Sequence, residues 1–69
     1  DIYYQNNNGT TALHLATSLN KVKIMELLYD ADAENDHYLM ESDDWDGLTP
    51  LHYAAKYNHI EALEFLLNK

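Results

Sequence analysis

The chain has 69 residues, no cysteine, and a formal net charge of −8 from 12 acids set against 4 lysines. That length allows one small domain with a marginal core, and the missing cysteines exclude disulfides and thiolate zinc sites and favour an intracellular setting, cytoplasmic or nuclear. Eight of the acids crowd into residues 30–46 without one lysine, a field that excludes nucleic acid and anionic membrane surfaces as ligands and favours a basic protein partner.

Residues 1–8 are polar, begin without methionine, and form neither a signal peptide nor a membrane segment, for which ~18 apolar residues are needed. A helical pattern starts at Thr11, with Leu13 and Ala16 on one small apolar face and Asn20 as a left-handed stop. A second helix follows with Val22, Met25 and Leu28 at helical spacing. After the acidic stretch the scheme returns. Thr49 offers a hydroxyl cap, and Pro50 takes the first helical position, where no amide hydrogen bond is lost. Leu51, Ala54 and Ala55 line that helix, Asn58 ends it, and Ile60, Leu63, Leu66 and Leu67 pattern the last one.

The return is an internal repeat. Sliding the chain by 38 residues lays residues 9–30 on residues 47–68 with eight of 22 positions identical: Gly9, Thr11, Leu13, His14, Ala16, Asn20, Glu26 and Leu28 meet Gly47, Thr49, Leu51, His52, Ala54, Asn58, Glu64 and Leu66. Neither copy can bury its apolar face alone, so the two are expected to stack.

The stretch from Thr49 to Ala54, TPLHYA, resembles the ankyrin-repeat signature T-P-L-H-x-A in full, and Thr11 to Ala16, TALHLA, is similar to it with Ala12 in the proline's place. LYDADAEND, ending at Asp36, resembles the family's exit from a repeat, with Asp32 where glycine is usual. The resemblance covers essentially the whole chain and implies an all-α repeat: an ankyrin-type solenoid of stacked helix-turn-helix units joined by β-hairpin or finger loops. It divides the chain into an incoming hairpin remnant at 1–8 with Tyr3 and Tyr4 on a strand, a first repeat at 9–34, an extended acidic finger at 35–46 and a second repeat at 47–69. Asp1 and Ile2 resemble the tail of a preceding repeat, so a segment of a longer array is expected. The repeat length of 38 residues exceeds the family's ~33, which places five extra residues between Asp36 and Gly47. The finger is therefore enlarged and free to depart from hairpin form.

The stretch DADAENDHYLME, Asp30 to Glu41, also has much of the ligand rhythm of a calcium-binding EF-hand loop, with acids at its first, third, fifth and seventh positions and glutamate at its twelfth. Asn35 stands where that loop needs glycine, His37 where it needs an apolar residue, and SDDWDG in place of an exiting helix. A solvated acidic loop is the better reading, and a calcium- or other cation-responsive loop on a repeat scaffold is the alternative.

His14 and His52 occupy matching positions, and the resemblance implies that this histidine ties one repeat's backbone to the next. No serine or threonine has a base placed to activate it and no glycine-rich phosphate loop occurs, so no catalytic residue, metal ligand or cofactor is expected. The resemblance implies protein binding through finger tips and the exposed side of the first helices. Carried over by position, that surface comprises Asp43, Trp45, Asp46, Leu48, Lys56 and Tyr57 from the second repeat, and Asn7, Asn8, Thr10 and Leu19, with Gln5 and Ser18, from the first. Trp45 has two readings: an interface anchor rimmed by Asp43, Asp44 and Asp46, or a group folded back on Tyr38, Leu39 or Met40. The expected function is a non-catalytic interaction module holding a rigid concave surface and an acidic finger toward a protein partner. A purely structural spacer is the third reading. Self-association through exposed repeat ends is expected as well, since ~3 repeats with polar caps are the usual minimum for a stable stack.

Overall fold

A computed structural model of the protein describes residues 2–69, and four α-helices form its framework. They are α1 (Ala12–Ser18), α2 (Val22–Ala31), α3 (Pro50–Lys56) and α4 (Ile60–Leu67). The first two form one helix-turn-helix unit and the last two a second. Between the units, two short 3-10 turns span Ala33–Asn35 and Tyr38–Met40. Asp1, expected in the tail of a preceding repeat, lies outside the described residues.

Each local element follows from its residues. At α1 the Thr11 hydroxyl accepts the His14 amide at 3.3 Å while the Thr11 amide donates to His14 Nδ1 at 3.1 Å. This is a reciprocal cap with histidine in the role usually taken by glutamate. Thr49 and His52 repeat it at α3, the Thr49 amide donating to His52 Nδ1 at 3.1 Å, with Pro50 at the first helical position. Asn20 and Asn58 then take positive φ angles of 56° and 58°. The left-handed residue lets the amides of Lys21 and His59 reach back to the carbonyls of Ala16 and Ala54 at 2.8 and 3.0 Å, which satisfies helix-end acceptors and reverses the chain.

The two units stack side by side, with α3 against α1 and α4 against α2. Their core holds Leu13, Ala16, Met25, Ala54, Ala62 and Leu66, with Ile2, Val22, Leu28, Leu63 and Phe65 packed around it. The small residues Ala16, Ala54 and Ala62 permit close approach of the helices. Ile60, Leu67, Leu51 and Ala55, also patterned as apolar-face positions, are exposed. Leu13 is 0 % exposed whereas its counterpart Leu51 is 39 % exposed, because the second unit covers the first and none of the described residues covers Leu51 in the same way.

The acidic loop is not a hairpin. No strand occurs among the described residues, either at 2–8 or at 35–46. Leu39, in the middle of the loop, is 1 % exposed and belongs to the core. Asp32, the residue in place of the family's glycine, is equally buried. Its carbonyl accepts the amides of Asn35 and His37, each at 3.1 Å. One carboxylate oxygen accepts the Leu39 amide at 2.7 Å, and the other accepts the Tyr3 hydroxyl. The five extra residues are thus wound around a buried carboxylate rather than paired as strands. Burying a leucine contributes roughly 1.5–3 kcal/mol, which offsets part of the cost of ordering the insertion.

Candidate functional site

The loop tips are built by one device used twice. In the first, Asn6 Oδ1 accepts the amides of Asn8 and Thr10 at 2.9 and 3.0 Å, and the Asn6 amide donates to the Thr10 carbonyl at 3.1 Å. In the second, Asp44 Oδ1 accepts the amides of Asp46 and Leu48, each at 2.9 Å, and the Asp44 amide donates to the Leu48 carbonyl at 2.9 Å. Asn6 and Asp44 are 38 residues apart, in register with the repeat. Asp44 adds an anchor: its Oδ2 accepts the Tyr53 hydroxyl of α3 at 2.6 Å. That bond, aided by the Leu48 amide, holds the Asp44 carboxyl below the usual carboxylate range. Burial, and then the bond to Asp44, push the Tyr53 hydroxyl up.

The two tips lie edge to edge. The Trp45 amide donates to the Asn8 carbonyl at 3.1 Å, and Gln5 Nε2 reaches the Asp43 carbonyl at 3.3 Å. The indole lies over Gly9, where φ is +78° and an added Cβ would stand 2.7 Å from the Trp45 amide nitrogen. The ring is nonetheless 69 % exposed. Tyr38, a candidate to receive it, is exposed and faces Tyr3, with ring centroids 6.0 Å apart. Asp43 and Asp46 flank Trp45 and are exposed, as are Asn7 and Asn8 on the neighbouring tip.

The remaining sequence-selected residues sort into two groups. Lys56, Tyr57 and Leu19 are exposed at the far ends of α3 and α1, about 10 Å from the tips along a seven-residue helix. Lys56 Nζ stands 5.5 Å from the Tyr57 ring centre, a cation–π spacing. Leu48 is half-buried and contributes backbone atoms to the tip. Thr10 corrects the expectation: it is buried, its hydroxyl 3.4 Å from the Tyr53 hydroxyl, and its side chain cannot meet a partner. Asp44, read as part of a polar rim, is buried too and works as a structural clamp.

The side chains of His14, His59 and Asn20 also join the units. His14 Nδ1 accepts the Thr11 amide, so its proton is on Nε2, which donates to the Leu48 carbonyl at 2.8 Å. His59, in the turn between α3 and α4, donates from Nε2 to the Ser18 carbonyl at 2.8 Å. Asn20 donates to Glu61 at 3.1 Å and accepts the Ala62 amide at 3.2 Å; the first bond lowers the Glu61 carboxyl below its ordinary value. The His14 contact was legible from the resemblance. The contacts of His59 and Asn20 were missed, because a turn position carries no periodic signal.

Among the described residues, no three His, Asp or Glu side chains converge as a metal site would require, and no helix is long and apolar enough to cross a membrane.

Comparison with known proteins accords with this geometry. The family model described as "Ankyrin repeats (3 copies)" matches residues 1–69. The chain is 33% identical over 61 residues to the ankyrin repeat domain-containing protein SAT10 of Stachybotrys chartarum, a match covering 88% of this chain and 3% of that protein. It is 32% identical over 59 residues to protein fem-1 homolog C of Xenopus laevis, covering 86% of this chain and 10% of that protein. The chain therefore spans a tenth or less of the curated relatives' length. With its capped helix pairs, left-handed asparagine turns and inter-unit histidine bond, the chain belongs to the ankyrin-repeat family.

Proposed function

We propose that the chain is a non-catalytic protein-interaction module whose contact surface is the edge formed by Trp45, Asp43, Asp46, Asn7 and Asn8, extended by Lys56, Tyr57 and Leu19. One observation carries the reading. Trp45 is held by a backbone hydrogen bond and a glycine seat, yet 69 % of it faces solvent. A large aromatic group immobilised at the surface loses little conformational entropy on contact, and tryptophan is among the residues that most often anchor interfaces. The flanking Asp43 and Asp46 favour a partner bearing lysine or arginine. The absence of cysteine supports a cytoplasmic or nuclear setting.

A displayed random-peptide library selected on the wild-type chain, and counter-selected on Trp45→Ala, tests this. Enrichment of Lys/Arg-bearing sequences that bind the wild type and lose the variant supports the reading. Binders indifferent to Trp45→Ala, or a pool without basic enrichment, contradict it.

A further inference from the structure

The inserted loop brings two tyrosine rings together beside a buried carboxylate. We propose that the notch between Tyr3 and Tyr38 binds a quaternary ammonium group, of the kind carried by trimethylated lysine or by choline. The notch shares no residue with the Trp45 edge, and the proposal does not rest on that edge.

Asn35 and Tyr38 belong to the loop that joins the two units, so the site is built by the insertion and not by a stacking face. Tyr3 reaches the loop from the turn that enters the first unit. The Tyr3 and Tyr38 rings have centroids 6.0 Å apart and planes inclined by 60°, which makes them two sides of a notch rather than a stack. With Asn35 they line a cavity of about 340 Å³. Tyr38 is 57 % exposed, so its ring is open to a ligand. The face of an aromatic ring is negative, and a cation within about 6 Å of the ring centre is attracted to it. A group seated in the notch is within that reach of both rings.

The notch is electronegative without offering a carboxylate to its ligand. The Tyr3 hydroxyl donates to one oxygen of Asp32 and accepts from the Asn35 side-chain amide, while the other Asp32 oxygen accepts the Leu39 amide. A phenol that donates to a carboxylate gains electron density in its ring, which strengthens its attraction for a cation. The Tyr3 hydroxyl is raised above its ordinary value, first by the bond to Asp32, with burial and the charges of Asp32 and Glu34 adding. Those charges therefore reach the notch. Glu34 and Asp36, on either side of Asn35, are exposed, and residues 30–46 hold no lysine to neutralise them. A bare ammonium is strongly hydrated and brings three N–H donors that need acceptors. The described lining, Tyr3, Asn35 and Tyr38, holds no carboxylate to receive them. A quaternary ammonium has no N–H donor, gives up water readily and presents methyl groups to the rings. The notch therefore suits the quaternary cation better than it suits lysine.

Nuclear magnetic resonance titration of the 69-residue chain at fixed ionic strength tests the proposal. The probes are acetyl-trimethyl-lysine amide, choline, unmethylated acetyl-lysine amide and the neutral tert-butyl analogue of choline. Trimethyl-lysine or choline is expected to move the ring resonances of Tyr3 and Tyr38. The lysine probe and the neutral analogue are expected to bind at least about tenfold more weakly. Tyr38→Phe should keep the binding, and Tyr38→Leu, which retains apolar bulk without a ring, should abolish it. Should Tyr38→Leu lose its circular dichroism spectrum, the comparison of trimethyl-lysine with lysine and with the neutral analogue on the wild type still decides. Tighter binding of trimethyl-lysine than of choline assigns the site to a modified protein and the reverse to a choline group; either supports the proposal. Equal affinity for lysine would reduce the notch to charge attraction, and equal affinity for the neutral analogue to apolar burial. Either result would overturn the proposal, as would shifts centred on Trp45, binding unchanged in Tyr38→Leu, or no shift with any probe.

Discussion

The carboxylate of Asp32 accepts the amide of Leu39 at 2.7 Å, and both residues are buried. A residue that stands in place of a glycine thereby ties down the apolar residue that anchors the inserted loop. The loop's acidity is consequently divided. Asp32 and Asp44 face inward and organise backbone, while Asp43 and Asp46 face solvent beside Trp45.

Leu39→Ala is expected to destabilise the chain by about 2–5 kcal/mol through lost burial and a residual cavity. Asp32→Ala leaves the Leu39 amide without its acceptor, at a cost of about 1–3 kcal/mol. The two act on one contact, so the double variant should lose clearly less than the sum of the singles. Urea melts of the four proteins measure this, and strict additivity would show that the residues act separately.

The two loop glycines should differ. Gly47 has a φ of +84° with open space around it, whereas Gly9 combines a φ of +78° with the Trp45 seat. Gly47→Ala bears only the left-handed backbone cost of about 1–2 kcal/mol. Gly9→Ala should cost more than that, since the Trp45 backbone as well as its ring must shift. Thermal melts of both variants decide it, and equal losses would mean that Trp45 yields freely.

Stability should narrow from both ends of the pH scale. The folded values of Asp44 and Glu61 are lowered, first by the Tyr53 hydroxyl and the Asn20 amide respectively. Their contribution is complete above the ordinary carboxylate values near ~3.9–4.3 and is lost as the pH falls through the lower folded values. Tyr53 and Tyr3 are raised, Tyr53 first by burial and Tyr3 first by its bond to Asp32. Their contribution is complete below about pH 10 and is lost as the pH rises through the folded values. Asp44→Asn should flatten the acid limb of a melting-temperature profile relative to the wild type, and an unchanged limb would remove Asp44 from the clamp.

Identical histidines should have unequal weight. His14→Ala removes the donor to the Leu48 carbonyl and the ring packed 4.8 Å from Tyr53, an expected loss of about 1–3 kcal/mol. His52 is exposed, and His52→Ala should stay within about 1 kcal/mol at concentrations where the chain is monomeric. Chemical denaturation at micromolar concentration separates them.

The helices were readable because their signals are periodic or positional. Leu13, Ala16, Met25 and Leu66 lie at helical spacing, and Asn20 and Asn58 stop their helices with the left-handed geometry that asparagine tolerates. The interior of the loop was not. Burial of Asp32 depends on an amide and a hydroxyl contributed by Leu39 and Tyr3, seven and 29 residues away, and nothing local marks an aspartate as having such donors. Leu39 sits between acids in a stretch too short to show a period. Exposure of the selected surface residues was legible in part. Trp45, Asp43 and Asp46 emerged because neither core nor caps need them, while Thr10 was misplaced because the hairpin position that exposes it in outline is covered by Tyr53.

The most direct test of Trp45 as an interface anchor pairs affinity with stability in one variant. For a basic peptide selected on the wild-type chain, Kd and melting temperature would be measured for wild type and Trp45→Ala under the same conditions. The expected result is an affinity at least about tenfold weaker, on the order of 1.4 kcal/mol, with the melting temperature unchanged. A lowered melting temperature with the affinity intact would contradict it and assign Trp45 to packing on the Gly9 turn.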